Sequence, residues 1–140
     1  MSTYTIETST DSKKYLRMTF DAESKILETN WVIPQQLQAE LFKKLMSIYF
    51  EAVRQHSPKK IFANLTYSFH IITLDVQEWI DENLSPIYEE IKLEKLAVCV
   101  SSDLFAQVSV EQTISESIYS VYQTKYFKEE KAAKAWLLES

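Results

Sequence analysis

Two short segments near the amino terminus alternate between apolar and polar residues. Every second side chain is apolar in residues 14–20, and the same alternation returns in residues 25–33. A period of two is typical of strands that have one buried face and one solvated face. The polar residues 21–24 favour a turn between them, so the pattern predicts an antiparallel β-hairpin. Pro34, which follows the second segment, is expected to open a helix.

The rest of the chain changes to helical spacing and short apolar runs. Residues 35–55 carry apolar residues every three or four positions in two adjacent rows, which predicts a helix with a wide buried stripe. The consecutive apolar residues of 95–101 suit a central strand that is covered on both faces. Further strands are expected at residues 60–66 and 122–127, and further helices at residues 75–91, 109–119 and 129–139.

Two of these helix starts are indicated by capping boxes. Asp75 and Glu78 have the D-x-x-E spacing, and Ser109 and Gln112 have the S-x-x-Q spacing. In a capping box the two side chains satisfy N–H groups that the first helical turn leaves free. Asp103 is expected to cap only a short turn ahead of the second helix.

The order β-β-α-β-α-β-α-β-α predicts an α/β protein with a mixed sheet, in which an N-terminal hairpin precedes β-α units with mostly parallel strands. Residues 14–140 are expected to form one domain, and residues 1–13 a flexible N-terminal segment. A chain of 140 residues is long enough to bury one core. Pro86 is expected to kink its helix, because the apolar spacing continues across it.

The chain contains no glycine. Phosphate-binding loops, dinucleotide fingerprints and nucleophile elbows need a left-handed residue or an unobstructed backbone, so none of them exists here in its usual form. Other residues must therefore take any left-handed positions, and Asn30, Asn64 and Asn83 are the expected ones.

Charge and cysteine content narrow the possible partners. The net charge is −5 and the basic residues form isolated pairs, which argues against a nucleic-acid partner. No apolar run has the length of a membrane span, and the N-terminus lacks the apolar region of a signal peptide, so a cytoplasmic protein is expected. The only cysteine, Cys99, lies in an apolar strand and is expected to be a buried core residue.

Candidate chemistry is sparse. The two histidines, His56 and His70, have no cysteine or carboxylate at ligand spacing, so no metal site and no cofactor are expected. Hydroxyl groups close to His70 leave a Ser–His pair open, but no nucleophile turn or oxyanion nest accompanies them. The sequence therefore predicts a protein that is not an enzyme.

The second half of the chain resembles a known family. Residues 75–113 (DVQEWIDENLSPIYEEIKLEKLAVCVSSDLFAQVSVEQT) and the ending YFKEEKAAKAWLLE at 126–139 are similar to SpoIIAA-like proteins, the STAS and SEC14-related α/β group. The resemblance covers residues 14–140 in element order and is most specific over 75–140. It implies a mixed sheet wound as a β–α superhelix.

The same resemblance implies a possible phosphorylation site. In STAS anti-sigma antagonists, a serine of an Asp-Ser-Ser-Gly-Leu motif is phosphorylated by a partner kinase at the start of a helix. Residues 72–75 lie over that motif, and Thr73 is the hydroxyl nearest to the modified position. The motif's Asp, both of its Ser and its Gly are missing here.

The segment YSFHIITL at 67–74 is apolar where a connection is expected to be polar. It follows a parallel strand, and the loop 101–105 follows the next one, so both should open at the carboxyl edge of the sheet, where ligands of open α/β sheets bind. The candidate contact residues are Thr66, Tyr67, Phe69, His70, Thr73, Ser101, Ser102 and Phe105.

Three interpretations of these loops stay open. They could pack on the protein itself or form a homodimer, bind a partner protein, or wall a site for a small apolar, lipid-like ligand. The first functional hypothesis is a regulatory or protein-interaction module that makes contact through loops 67–75 and 101–105. The alternative is a carrier or sensor of a small apolar ligand at the same edge.

Overall fold

The computed structural model describes residues 3–5, 14–115 and 122–139. Its strands are β1 (Thr3–Thr5), β2 (Leu16–Asp21), β3 (Ile26–Ile33), β4 (Lys60–Ser68), β5 (Lys95–Cys99) and β6 (Gln123–Phe127). Its helices are α1 (Ala39–His56), α2 (Leu74–Ile91), α3 (Leu104–Ser115) and α4 (Glu130–Leu137).

The strands form one sheet in the order β1-β2-β3-β4-β5-β6. The first three strands are antiparallel neighbours, and the pairs from β3 to β6 are parallel. In the β2–β3 hairpin Leu16 lies opposite Trp31 and Phe20 opposite Leu27, so the alternating apolar side chains share one face. The predicted α/β class with a mixed sheet is confirmed.

Strand β1 was not expected from the sequence, which assigned residues 1–13 to a flexible segment. Its backbone pairs Thr3–Thr5 with the outer edge of β2. Threonine and tyrosine favour strands, and an unpaired hairpin edge offers free N–H and C=O groups to such a segment. The other residues of 1–13 lie outside the described part of the chain.

Helices α1, α2 and α3 pack on one face of the sheet. The core between them is made of the alternating strand residues and of the apolar stripes of α1 and α2, with Val110 and Ile114 of α3 at its border. Helix α4 packs on the opposite face, against Phe62 and Ala97. Each central strand therefore supplies side chains to two apolar layers, as the consecutive apolar residues of 95–101 indicated.

Two strand lysines hold helix α4 in place. Lys60 Nζ donates to the carbonyl of Leu137 at 2.6 Å. Lys95 Nζ donates to the carbonyls of Trp136 and Glu139, each at 2.9 Å, and lies over the Trp136 ring. The last carbonyls of a helix lack intrahelical partners and carry partial negative charge, which an ammonium group satisfies. The carboxyl end of helix α4 is consequently fixed over the first residues of β4 and β5.

The expected start of the first helix was wrong. Helix α1 begins only at Ala39, and Pro34 instead ends β3. The last β3 residue, Ile33, still accepts a hydrogen bond from Phe69 N–H at 2.8 Å, so the chain is extended up to the proline. A proline suits this position because it lacks an N–H group that would need a ladder partner.

Neither capping box forms. The N-cap of α2 is Thr73, whose hydroxyl donates to the Asp75 carboxylate at 2.6 Å, so Asp75 lies within the first turn and not at the cap position. The expected short turn after Asp103 is the first turn of α3, and Asp103 Oδ1 accepts the N–H of Ala106 at 2.9 Å. Ser109 lies inside that helix, and residues 116–119 of the expected helix are outside the described ranges.

Left-handed backbone occurs at residues other than the expected asparagines. Lys25, Ser57 and Lys92 have φ values of 59°, 47° and 55°. Ser57 and Lys92 follow the ends of α1 and α2, where a left-handed residue lets backbone N–H groups bond the last helical carbonyls. At Ser57 and Lys92 the left-handed conformation follows from how the helix ends and not from the identity of the side chain.

Candidate functional site

The loops after β4 and β5 meet at the carboxyl edge of the sheet. Ser101 Oγ donates to the carbonyl of Ser68 at 2.5 Å. Ser102 N–H donates to the carbonyl of Thr66 at 3.3 Å. These contacts join the loop after β5 to the last residues of β4, so this loop is held at the carboxyl edge.

A register shift in β4 orients Tyr67. Asn30 lies opposite Asn64, but Val32 lies opposite Tyr67, so β4 contains one extra residue between these pairs. Because strand side chains alternate, the extra residue turns Ser68 towards the core and Tyr67 outwards beside Val32. The exposed fraction of Tyr67 is 60% and that of Ser68 is 7%.

Large apolar side chains are exposed around this edge. Phe105 is 72% exposed, Leu104 66% and Leu74 62%. The N–H group of Ile72 donates to Ser109 Oγ at 3.1 Å, which holds the loop after β4 against α3. We call the exposed set the carboxyl-edge surface: Val32, Tyr67, Ile71, Leu74, Leu104, Phe105 and Val108.

His70 and Phe69 turn away from this surface. Phe69 is half-buried and its N–H group bonds Ile33. The His70 ring stacks on Phe42 with ring centroids 4.5 Å apart and hydrogen-bonds the backbone of Gln35. Burial lowers the pKa of His70, although the Gln35 bond acts in the opposite direction. The ring is therefore neutral at pH 7.

The hydroxyl groups near His70 have other partners. Thr66 Oγ1 donates to Asn64 Oδ1 at 2.7 Å and lies 3.5 Å from the Sγ atom of Cys99, which is buried. His70 Nδ1 is buried and finds no hydrogen-bond partner among the described residues. The Ser–His pair that the sequence left open is thus not assembled around Nδ1 in the described structure.

Thr73 is exposed at the start of α2. A helix N-terminus favours a phosphate group, but the hydroxyl points at the Asp75 carboxylate. The hydrogen bond that the Thr73 hydroxyl donates lowers the pKa of Asp75, so this carboxylate is charged at neutral pH. A phosphate on Thr73 would meet like charge at that position.

Beneath the loops lies a cavity of about 110 Å³, which we call the interior cavity. It is bordered by β3, β4 and β5 on one side and by α1, α2 and α3 on the other, and it is partly open to solvent. Trp31, Tyr49, Ile72, Ile80, Tyr88 and Val98 are among its wall residues, as is His70.

Two hydrogen-bonded tyrosines line the interior cavity. The hydroxyl oxygens of Tyr49 and Tyr88 lie 2.6 Å apart, and both side chains are buried. Burial raises the pKa of both phenols, so they are neutral. The Trp31 ring meets the Tyr49 ring edge-on with centroids 5.5 Å apart. Sequence reasoning did not identify this wall, and the only available signal was a polar-tipped tyrosine within each helix.

The described residues show neither a metal-ligand cluster nor a membrane-spanning helix. The described residues contain no group of three or more His, Cys, Asp or Glu side chains that could hold a metal ion. Among the helices within the described ranges, none has the length and apolarity needed to cross a bilayer.

Comparisons with known proteins give no relative. No protein-family model, curated protein sequence or solved structure matches this chain.

Proposed function

We propose that this protein is a non-enzymatic, cytoplasmic interaction module that binds a partner protein through its carboxyl-edge surface. The observation that carries the proposal is the concentration of exposed apolar side chains, including Tyr67 and Phe105, where two parallel strands end. Exposed apolar clusters of this kind are typical of protein-interaction sites.

The composition of the surface supports a protein partner. Aromatic side chains such as Tyr67 and Phe105 supply most of the binding energy at many interfaces, because they bury a large area at little entropic cost. The backbone beneath them is held by the Ser101 and Ser102 hydrogen bonds. A partner therefore meets a largely preformed surface and spends little free energy on ordering it.

The acidic groups at the rim favour a complementary partner. Asp75 is exposed beside Leu74, and Asp103 precedes Leu104. Charges at an interface rim guide association more than they add affinity. We expect a partner with an apolar centre and basic residues at its edge.

The β–α order from β3 to β6 supports a SpoIIAA-like fold as the setting for this function. Parallel neighbours in strict chain order are the arrangement that a β–α superhelix produces. Phosphorylation of Thr73 remains a prediction that follows from this resemblance, and it would add charge at the edge of the proposed interface.

The proposal is tested with the double variant Tyr67→Ala, Phe105→Ala. Affinity purification with quantitative mass spectrometry should lose the partner from this variant, because both rings are exposed and contribute contact area. Leu138→Ala is the matched control, since Leu138 is 69% exposed but follows α4 near the amino edge of the sheet, beside Ser24 and Ile26. Equal partner recovery with the double variant and the parent protein would contradict the proposal.

Sedimentation of the purified protein separates the homodimer alternative. A parent dimer that the double variant converts to a monomer would make a second copy of this chain the occupant of the surface. Thermal unfolding of the variants should be unchanged, because exposed side chains contribute little to stability.

A further inference from the structure

We propose that the interior cavity is a binding site for one compact, uncharged, apolar molecule of about the size of benzene. Protein interiors are normally packed so closely that few voids exceed a water molecule. The interior cavity, which is partly open to solvent, leaves about 110 Å³ that the side chains around it do not fill. An apolar cavity of roughly 150 Å³ in another protein stays dry and binds benzene or xenon.

Most polar side chains of the wall hydrogen-bond other protein groups, and His70 Nδ1 is an exception that offers one acceptor. The Tyr49 and Tyr88 hydroxyls bond one another, and Thr113 Oγ1 donates to the carbonyl of Ser109 at 2.7 Å. A buried water molecule needs two to four polar partners to offset its transfer from solvent. Few remain here, so an apolar molecule is the better occupant.

The wall also resists collapse. Trp31 meets Tyr49 edge-on, and His70 is fixed between Phe42 and the Gln35 backbone. Rings that are held by hydrogen bonds and by each other cannot relax into the space. A smaller cavity of about 50 Å³ shares Ile80, Leu84 and Tyr88 with it, which leaves room for a substituent on the ligand.

This site differs from the apolar-ligand site that the sequence offered as the alternative at the carboxyl edge. That interpretation used Tyr67 and Phe105 as walls, but both rings lie on the outside of the molecule. Within the loop after β4, the residues that line the interior cavity are His70 and Ile72. The inference therefore stands independently of the carboxyl-edge surface.

Benzene is the probe, and isoleucine δ1-methyl NMR gives the location of binding. Saturable shifts are expected at Ile72, Ile80 and Ile114, which line the cavity. The methyl groups of Ile33 and Ile61, which are fully buried elsewhere in the core, should not move. No saturable shift in the parent protein would overturn the proposal.

Ala63→Leu tests the location, because Ala63 lies in the wall and the larger side chain fills the space. Benzene affinity should fall by about ten-fold or more, the usual effect of added methylene groups in an apolar pocket. Ala132→Leu is the matched control on the exposed side of α4 and should bind like the parent. Unchanged affinity in Ala63→Leu would place the benzene elsewhere.

Two further variants complete the test of where benzene binds. If Ala63→Leu does not fold, Val98→Ile makes a smaller addition to the same wall and must also weaken binding. The Tyr67→Ala, Phe105→Ala protein should keep its benzene affinity. A loss there would move the site to the carboxyl-edge surface and refute the interior location, whereas partner recovery is a separate measurement.

Discussion

His70 is a neutral imidazole in a mostly apolar setting, between the loop after β4 and helix α1. Its Nδ1 atom is buried and has no hydrogen-bond partner among the described residues. The ring hydrogen-bonds the backbone of Gln35. The cause of its lowered pKa is burial, which disfavours the charged form. The same arrangement that makes it a good wall residue makes it sensitive to acid.

Stability should therefore fall with acid in a defined range. The unfolded state takes up a proton near pH 6.5, whereas the folded state does so only at lower pH. Because the unfolded state binds more protons between these two values, the free energy of unfolding decreases as the pH falls from about 6.5 towards the folded pKa. Above that range His70 contributes no pH dependence.

Urea unfolding of the parent and of His70→Asn across pH 5 to 8 measures this effect. Asparagine keeps a donor for the Gln35 carbonyl but does not titrate. The difference in unfolding free energy between the two proteins should be constant above about pH 7.5 and should shrink below pH 6.5. A difference independent of pH would show that His70 has the same pKa in both states.

Among the secondary-structure elements, helix α4 depends most on charged contacts with strands. It is a single short helix on its face of the sheet, and its apolar contacts are Ala133, Trp136 and Leu137. Its carboxyl end lies over the first residues of β4 and β5, where Lys60 and Lys95 donate to its last carbonyls. Strand residues thus complete the helix cap.

Lys95→Met should loosen this helix while keeping most of the side-chain volume. The variant loses two charge-assisted hydrogen bonds and the cation–π contact with Trp136. We expect a loss of about 1–2 kcal/mol in unfolding free energy. Lys131→Met, on the exposed side of the same helix, is the control. Equal stability of the two variants would contradict the capping role.

The elements show where sequence reasoning succeeds and where it stops. Alternation along residues 14–20 and 25–33 predicted β2 and β3, because side-chain period alone determines which face of a hairpin is buried. The start of α3 was missed because Ser109-x-x-Gln112 matched a capping box, whereas Asp103, six residues before Ser109, makes the cap. Competing caps differ by about 1 kcal/mol, which tertiary packing overrides.

The candidate site, like the helices and strands, could be predicted from the sequence only in part. Parallel topology was enough to bring the residues after β4 and β5 to one edge, since such strands end on the same side. It did not reveal that a register shift turns Tyr67 outwards, nor that His70 stacks on Phe42 from a distant helix. The interior cavity depends on how three helices rest on the sheet, and no local pattern encodes that.

At the scale of the whole molecule, the two edges of the parallel sheet differ. The carboxyl edge has exposed apolar side chains, whereas at the amino edge the described connections into β3, β4 and β5 are short. Lys25, Ser57 and Lys92, the left-handed residues, come shortly before β3, β4 and β5. In a chain without glycine, each of these turns is made by a residue with a Cβ atom.

Replacing all three residues with glycine should stabilise the protein without affecting the carboxyl edge. A left-handed residue with a Cβ atom costs about 1–2 kcal/mol, and the extra freedom of glycine in the unfolded chain offsets roughly half of that gain. The triple variant should therefore gain about 2 kcal/mol in unfolding free energy, measured by urea denaturation. The triple alanine variant keeps every Cβ atom and should gain nothing comparable. Equal gains for glycine and alanine would mean that the amino edge carries no conformational strain, and the stability would have to come from the lost side chains.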